Sequence, residues 1–123
     1  MVLGIGPLDV ITIQVRDWAA AVSWYTDVLG LAIVAREDDH RFCMLRAGAV
    51  MLALASDHPE HAASLAENRM APGFQVENLE TTLAALADAG VRVDPELDGG
   101  DEGHRLARIW DPEGNRLHLY CYR

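Results

Sequence analysis

The sequence predicts an α+β domain: two βαβββ modules whose strands form a curved mixed sheet around a concave cup, with the helices on the outside. Three observations predict it. A succession of strand, helix cap, amphipathic helix and glycine occurs twice, with the copies 61 residues apart. Short apolar runs divided by turn residues follow each copy, as in a set of hairpin-connected strands. A connector of different composition, residues 57–70, separates a module at 8–56 from a module at 71–122. With 123 residues in all, the chain is the size of one domain.

In chain order, Leu8 to Val15 is rich in β-branched residues and reads as a strand. Asp17 is placed to cap a helix, and Trp18, Val22, Tyr25 and Leu29 recur at helical spacing on one face. Gly30 ends that helix in the left-handed conformation glycine tolerates best. Strands follow at Leu31–Arg36, Arg41–Ala47 and Ala49–Ala55, with turns at Asp38-Asp39 and Gly48. The connector contains Pro59 and one helical turn through Ala62–Glu67.

The second copy opens with Gly73–Val76 as a strand. Asn78 is the cap, Leu79, Leu83 and Leu86 the stripe, and Gly90 the stop. Val91–Val93 is a short strand, Gly99-Gly100 a loop, and His104–Trp110 and Asn115–Tyr122 form a final pair. Between these last two, Asp111-Pro112-Glu113-Gly114 fits a type I turn, with Asp first, Pro second and Gly fourth. In each half one sheet face is covered by its helix. The opposite face is left for the other half, a partner subunit or a ligand.

Composition narrows the function. Half of the residues are hydrophobic, enough for a packed core. No apolar run reaches the roughly 20 residues of a membrane span, and no secretory signal pattern opens the chain. Cys43 and Cys121 sit in apolar strand-like runs, as reduced cysteines do, and a cytoplasmic location is expected. The net charge of −9, with no basic stripe and no lysine, points away from nucleic acid. Ser23, Ser56 and Cys43 have no activating base beside them in sequence, and Gly4-Ile5-Gly6 precedes the first strand, so it is no phosphate loop.

Val15-Arg16-Asp17-Trp18, Trp24-Tyr25-Thr26-Asp27-Val28-Leu29-Gly30-Leu31 and Asp111-Pro112-Glu113-Gly114-Asn115 together resemble the vicinal oxygen chelate superfamily. That group includes glyoxalase I, extradiol dioxygenases, fosfomycin-modifying enzymes and bleomycin-binding resistance proteins. The resemblance spans Leu8 to Tyr122 and bears on the fold more than on the function. It implies a homodimer. It also implies a divalent metal held by four side chains, from the first strand of each half, the fourth strand of the first half, and the last strand. In the family register these positions fall on Val10, Leu52, a residue near Ala71, and His118. Valine, leucine and alanine cannot ligate a metal, so no metal and no other cofactor is expected unless the register is displaced.

The candidate ligand-binding residues are Val10, Thr12 and Gln14 on the first strand, Leu52 and Leu54 on the fourth, and Arg116, His118 and Tyr120 on the last. Alternation gives each set a common face. His118 is a pocket residue or a histidine satisfied within its strand. Arg116 pairs with a ligand carboxylate or phenolate, or with one of the chain's own acids. His40, His104, His58 and His61 read as solvated turn or linker residues, Trp24 and Tyr25 as core, and Asp111 and Gly114 as turn formers. These residues favour a metal-independent protein of the glyoxalase/bleomycin-resistance type that holds a hydrophobic or aromatic small molecule, such as an antibiotic. The alternative is a glyoxalase-, dioxygenase- or isomerase-like enzyme of the same superfamily.

Overall fold

Eleven helix and strand segments and a π-helical turn build the computed structural model, which describes residues 3–57, 70–94, 97–98 and 104–122. The expected helical turn at 62–67, His58, His61 and the loop at 99–100 lie outside the described residues. The first sheet has the order β1-β4-β3-β2, from β1 (Val10–Gln14), β2 (Ala32–Glu37), β3 (Phe42–Ala47) and β4 (Val50–Ala55). The second contains β5 (Gly73–Gln75), β6 (Arg92–Val93), β7 (Leu97–Asp98), β8 (His104–Trp110) and β9 (Arg116–Tyr122), in the order β5-β9-β8-β6. In each sheet the first strand runs parallel to the last and the remaining pairings are antiparallel. The sheets are mixed, as the repeat requires.

The duplication extends to an irregularity that the sequence pattern did not reveal. β2 loses register against β3 between Ile33 and Ala35, by one residue. β6 and β7 both pair with β8, and their register also differs by one residue between Val93 and Leu97. Together β6 and β7 therefore occupy the place of β2 along β8. A bulge of the kind in β2 bends and twists an edge strand.

Side-chain caps start both helices. Asp17 accepts from the Ala20 amide at 3.2 Å to open α1 (Trp18–Ser23), and Asn78 accepts from the Thr81 amide at 2.9 Å to open α2 (Leu79–Asp88). The first helical stripe does not continue as an α-helix. Trp24–Val28 forms a π-helical turn, closed by the Leu29 amide donating to the Trp24 carbonyl. The Thr26 hydroxyl bonds the Val22 carbonyl at 2.8 Å, competing for an acceptor of the α-helical ladder. Gly30 and Gly90 end the two helices at φ of 75° and 82°, where a side chain would be strained. Beyond each glycine the next amide reaches back, from Leu31 to Tyr25 and from Val91 to Leu86.

One apolar core joins the modules. Val15, Trp18, Val22 and Tyr25 pack with Leu45, Leu52 and Leu54 from the first sheet and with Ile109, Leu117 and Leu119 from the second. The Asp111–Asn115 turn then ties the second module to the first helix. The buried Tyr25 hydroxyl donates to Asp111 at 2.8 Å, and the Arg16 and Asp17 amides donate to the Glu113 carboxylate at 2.9 and 3.0 Å. Burial, with the Asp111 carboxylate beside it, pushes the Tyr25 phenol far above its ordinary value, so it stays a donor. Cys43 and Cys121 are buried and unbridged, and burial pushes the Cys43 thiol up. No helix among the described residues is long and apolar enough to cross a membrane.

Candidate functional site

Pairing register decides which residues face the helices and which face away. β1 lies in register with β4 so that Val10, Thr12 and Gln14 stand beside Met51, Ala53 and Ala55. Ile11 and Ile13 stand beside Leu52 and Leu54. The second group belongs to the core, where Leu52 and Leu54 are only 2% and 0% exposed. The Trp18 indole N–H donates to the Leu54 carbonyl at 3.0 Å, from the helix side.

The expectation that Leu52 and Leu54 share the cup face with Val10, Thr12 and Gln14 is therefore corrected. The residues of β4 that share the face of Val10, Thr12 and Gln14 are Met51, Ala53 and Ala55, the two alanines buried there but outside the core cluster. A one-residue difference in register moves every side chain of a strand to the other face. Leu52 still reaches a cavity from the core side, described below.

On the second sheet the expected trio is on the open face. Leu117, Leu119 and Cys121 are buried toward α2, which leaves Arg116, His118 and Tyr120 on the opposite side. The hairpin register adds their neighbours: Trp110 pairs with Arg116, Arg108 with His118, and Leu106 with Tyr120. β6 adds Arg92, opposite Trp110, with its guanidinium carbon 4.1 Å from the indole centroid. β5 adds Gly73 opposite His118 and Gln75 opposite Tyr120. Arg92, Arg108 and Gly73 were not among the expected site residues. The hairpin held the signal for Arg108, because a turn that pairs Trp110 with Arg116 also sets Arg108 across from His118.

Among the described residues, two buried polar atoms on this face have no hydrogen-bond partner, Nε of Arg116 and Nε2 of His118. Desolvation holds the His118 imidazole below the usual histidine range, and Arg116 and Arg108 push it the same way. The sign of the linkage follows. A base with a depressed folded-state pKa favours folding while it is neutral, and that contribution is lost as pH falls through its unfolded value, about 6.5, toward the folded one. The melting temperature of His118→Gln should thus fall less than that of the parent between pH 7 and 5. Parallel declines in the two proteins would show that His118 carries no such linkage.

Between the modules lies a cavity of about 600 Å³, within the range of small-molecule sites. Leu8, Ile11, Val50, Met51, Leu52 and Phe74 supply apolar walls, and Gln75, Tyr120 and Arg46 supply polar groups. Gly73 joins this cavity to the cationic face. A Cβ placed there would stand 3.6 Å from the Tyr120 ring and 3.9 Å from Cβ of His118, ordinary contact distances, so Gly73 lies directly beside both side chains. Val10, Thr12 and Gln14 line the adjoining strand, where the Gln14 amide donates to Asp57 at 2.9 Å.

A family-type metal does not fit the side chains present. By the sequence repeat Thr12 matches Gly73, and the parallel pairings set Thr12 opposite Ala53 and Gly73 opposite His118. Val10, Leu52 and Ala71 of the sequence-based register carry no donor. Thr12, Ala53, Gly73 and His118 offer one hydroxyl and one imidazole, and the imidazole is flanked by two guanidinium groups that oppose a cation. Among the described residues no three His, Cys, Asp or Glu side chains converge to hold a metal.

The family model for the Glyoxalase/Bleomycin resistance protein/Dioxygenase superfamily matches residues 7–119. The chain belongs to that superfamily. Among solved structures, it is similar to TnmS3, an antibiotic binding protein from Streptomyces sp. CB03234, at 20% identity and a TM-score of 0.77, covering 98% of this chain and 99% of that one. It is similar to FosX, a fosfomycin resistance protein from Listeria monocytogenes, at 15% identity and a TM-score of 0.78, over 97% and 95%. A lactoylglutathione lyase from Agrobacterium tumefaciens matches at 17% identity and a TM-score of 0.71, over 96% and 95%. Among curated proteins none matches significantly. At these identities the superfamily likeness carries the fold, and binders and enzymes share it.

Proposed function

We infer that this member of the superfamily binds a hydrophobic or aromatic small molecule, such as an antibiotic, without a metal or other cofactor. The observation that carries the reading is the cavity of about 600 Å³ between the modules, walled mainly by aliphatic and aromatic side chains. The donor set beside it, one imidazole among arginines, supports binding without a metal. A homodimer belongs to the same reading. It is supported by apolar side chains that the single chain leaves exposed, Leu3, Ile5 and Leu8 near the start and Ile33 and Val34 on the outer strand β2.

Titration of the purified protein with a panel of polycyclic aromatic antibiotics, followed by tryptophan fluorescence, tests the reading. Saturable binding with the same affinity before and after incubation with excess EDTA is expected. Binding that is lost in EDTA and restored by Zn, Ni, Mn or Fe would overturn it. One residue favours the alternative, an enzyme of the same superfamily: His118, the strand neighbour of cavity-lining Gly73, whose imidazole is held neutral by burial and the adjacent arginines. Product appearing in the same titrations would decide for that alternative.

A further inference from the structure

The open face of the second sheet carries a charge that the chain as a whole does not. The protein has 19 acidic residues against 10 arginines, so a cation on its surface has acids in excess to pair with. Among the described arginines elsewhere, two pair with acids, while Arg16, Arg41 and Arg46 form no ion pair. Arg36 bonds Asp38 at 2.8 Å and Arg105 bonds Glu80 at 2.6 Å. On the open face, register gathers Arg92, Arg108 and Arg116 with His118 on three neighbouring strands. Among the described residues no carboxylate forms an ion pair with any of these arginines. Asp94 comes nearest along the ladder, its amide donating to the Arg108 carbonyl at 2.9 Å, yet its carboxylate forms no ion pair with that side chain.

Guanidinium groups held together against an imidazole repel one another, and partial burial weakens the solvent's screening of that repulsion. Such an arrangement is stabilised when a counter-charge enters. The unsatisfied Nε of Arg116 and Nε2 of His118 point to the same conclusion independently. Each is a buried group short of one hydrogen bond, and a missing partner at a buried polar atom is costly. An oxyanion accepts from several guanidinium N–H donors at once, and the planar guanidinium fork matches a carboxylate in two parallel bonds. Nε–H of Arg116 therefore lacks an acceptor, His118 can donate to the same one from its Nε2–H tautomer, and that acceptor is best supplied as an anion.

We propose that the ligand of this protein is an amphipathic acid, whose apolar or aromatic body fills the cavity between the modules and whose carboxylate is held by Arg108, Arg116 and His118. Gly73 makes the two parts one site, since it lines the cavity and pairs with His118. Arg92, stacked on Trp110, adds long-range attraction at the edge of the set. The negative charge of the whole chain does not select a cationic ligand, because the face that meets the ligand is positive. This inference rests on the small-molecule reading above and narrows its ligand class.

Paired probes of one shape and different charge test it. 2-Naphthoate and anthracene-9-carboxylate, with their primary amides, are titrated into the protein at low salt and in 0.5 M NaCl. Each acid is expected to bind about tenfold or more tightly than its amide, and to lose part of that margin in salt. Arg116→Gln and Arg108→Gln should each remove about tenfold of the affinity for the acids and far less of the affinity for the amides. Retained amide binding also reports that the variants fold. Arg116→Lys keeps the charge without the fork and should recover only part of the loss. Equal affinities for acid and amide, or variants that weaken both alike, would overturn the proposal and leave the small-molecule reading standing. If neither acids, amides nor the antibiotic panel bind, both fall together.

Discussion

Replacing Asp111 by alanine is expected to destabilise the protein by about 3 to 5 kcal/mol, the cost of breaking a buried charged network. Asp111 is 5% exposed and accepts four hydrogen bonds. The Tyr25 hydroxyl and the Asn115 side-chain amide meet one oxygen, both at 2.8 Å. The Glu113 and Asn115 backbone amides meet the other, at 2.9 and 2.7 Å. Alanine leaves all four donors without that acceptor, and the Tyr25 side chain, 0% exposed, has no water to turn to. For a domain of this size the loss corresponds to a fall in melting temperature of roughly 10–20 °C. Tyr25→Phe removes one of the four bonds and should cost about 1–2 kcal/mol. The double variant should cost less than the sum, because the two residues share a contact. Urea unfolding of the three variants measures all of this. An Asp111→Ala variant within about 0.5 kcal/mol of the parent would mean that the turn does not tie the modules together.

That network explains why the family was legible in the sequence while the site was not. Asp17, Tyr25 and Asp111 lie one in each of the three motifs that carry the resemblance, and Glu113 belongs to the last of them. All four fasten the second module onto the first helix. They are requirements of the scaffold, so they identify the fold and leave the ligand open. The repeat was legible for a similar reason. Asp17 and Asn78 cap, Gly30 and Gly90 stop, and each acts through local backbone chemistry that a short stretch of sequence displays.

Facing direction on β4 was hidden for a physical reason. Val50 to Ala55 is apolar at every position, so alternation carries no information about which set is inside. Only the parallel pairing with β1, across about 40 residues of chain, sets it. The π-helical turn at Trp24–Val28 left the apolar spacing of the stripe nearly intact and was invisible for that reason. Arg92 and Arg108 were missed because charge was read along the chain, where the arginines are scattered. The sheet brings them together across strands.

The corrected facing makes Leu54 and Met51 a discriminating pair. Leu54→Ala should cost about 2–5 kcal/mol, the range for deleting a fully buried leucine side chain. It would open a void beneath Trp18 while leaving the affinity of the folded protein for an aromatic probe unchanged. Met51 is half-buried on the open face and lines the cavity. Met51→Ala should cost less than Leu54→Ala, about 1–2 kcal/mol, since part of its side chain stays in contact with water. Its effect should fall instead on probe affinity, because it removes part of the cavity wall. Denaturant unfolding and a binding titration on the same two variants separate the roles. If Leu54→Ala proved nearly neutral in stability and changed probe affinity, β4 would be turned the other way. The cup would then be lined by the leucines that the sequence-based register assigned to it, and the cationic face would lose its cavity.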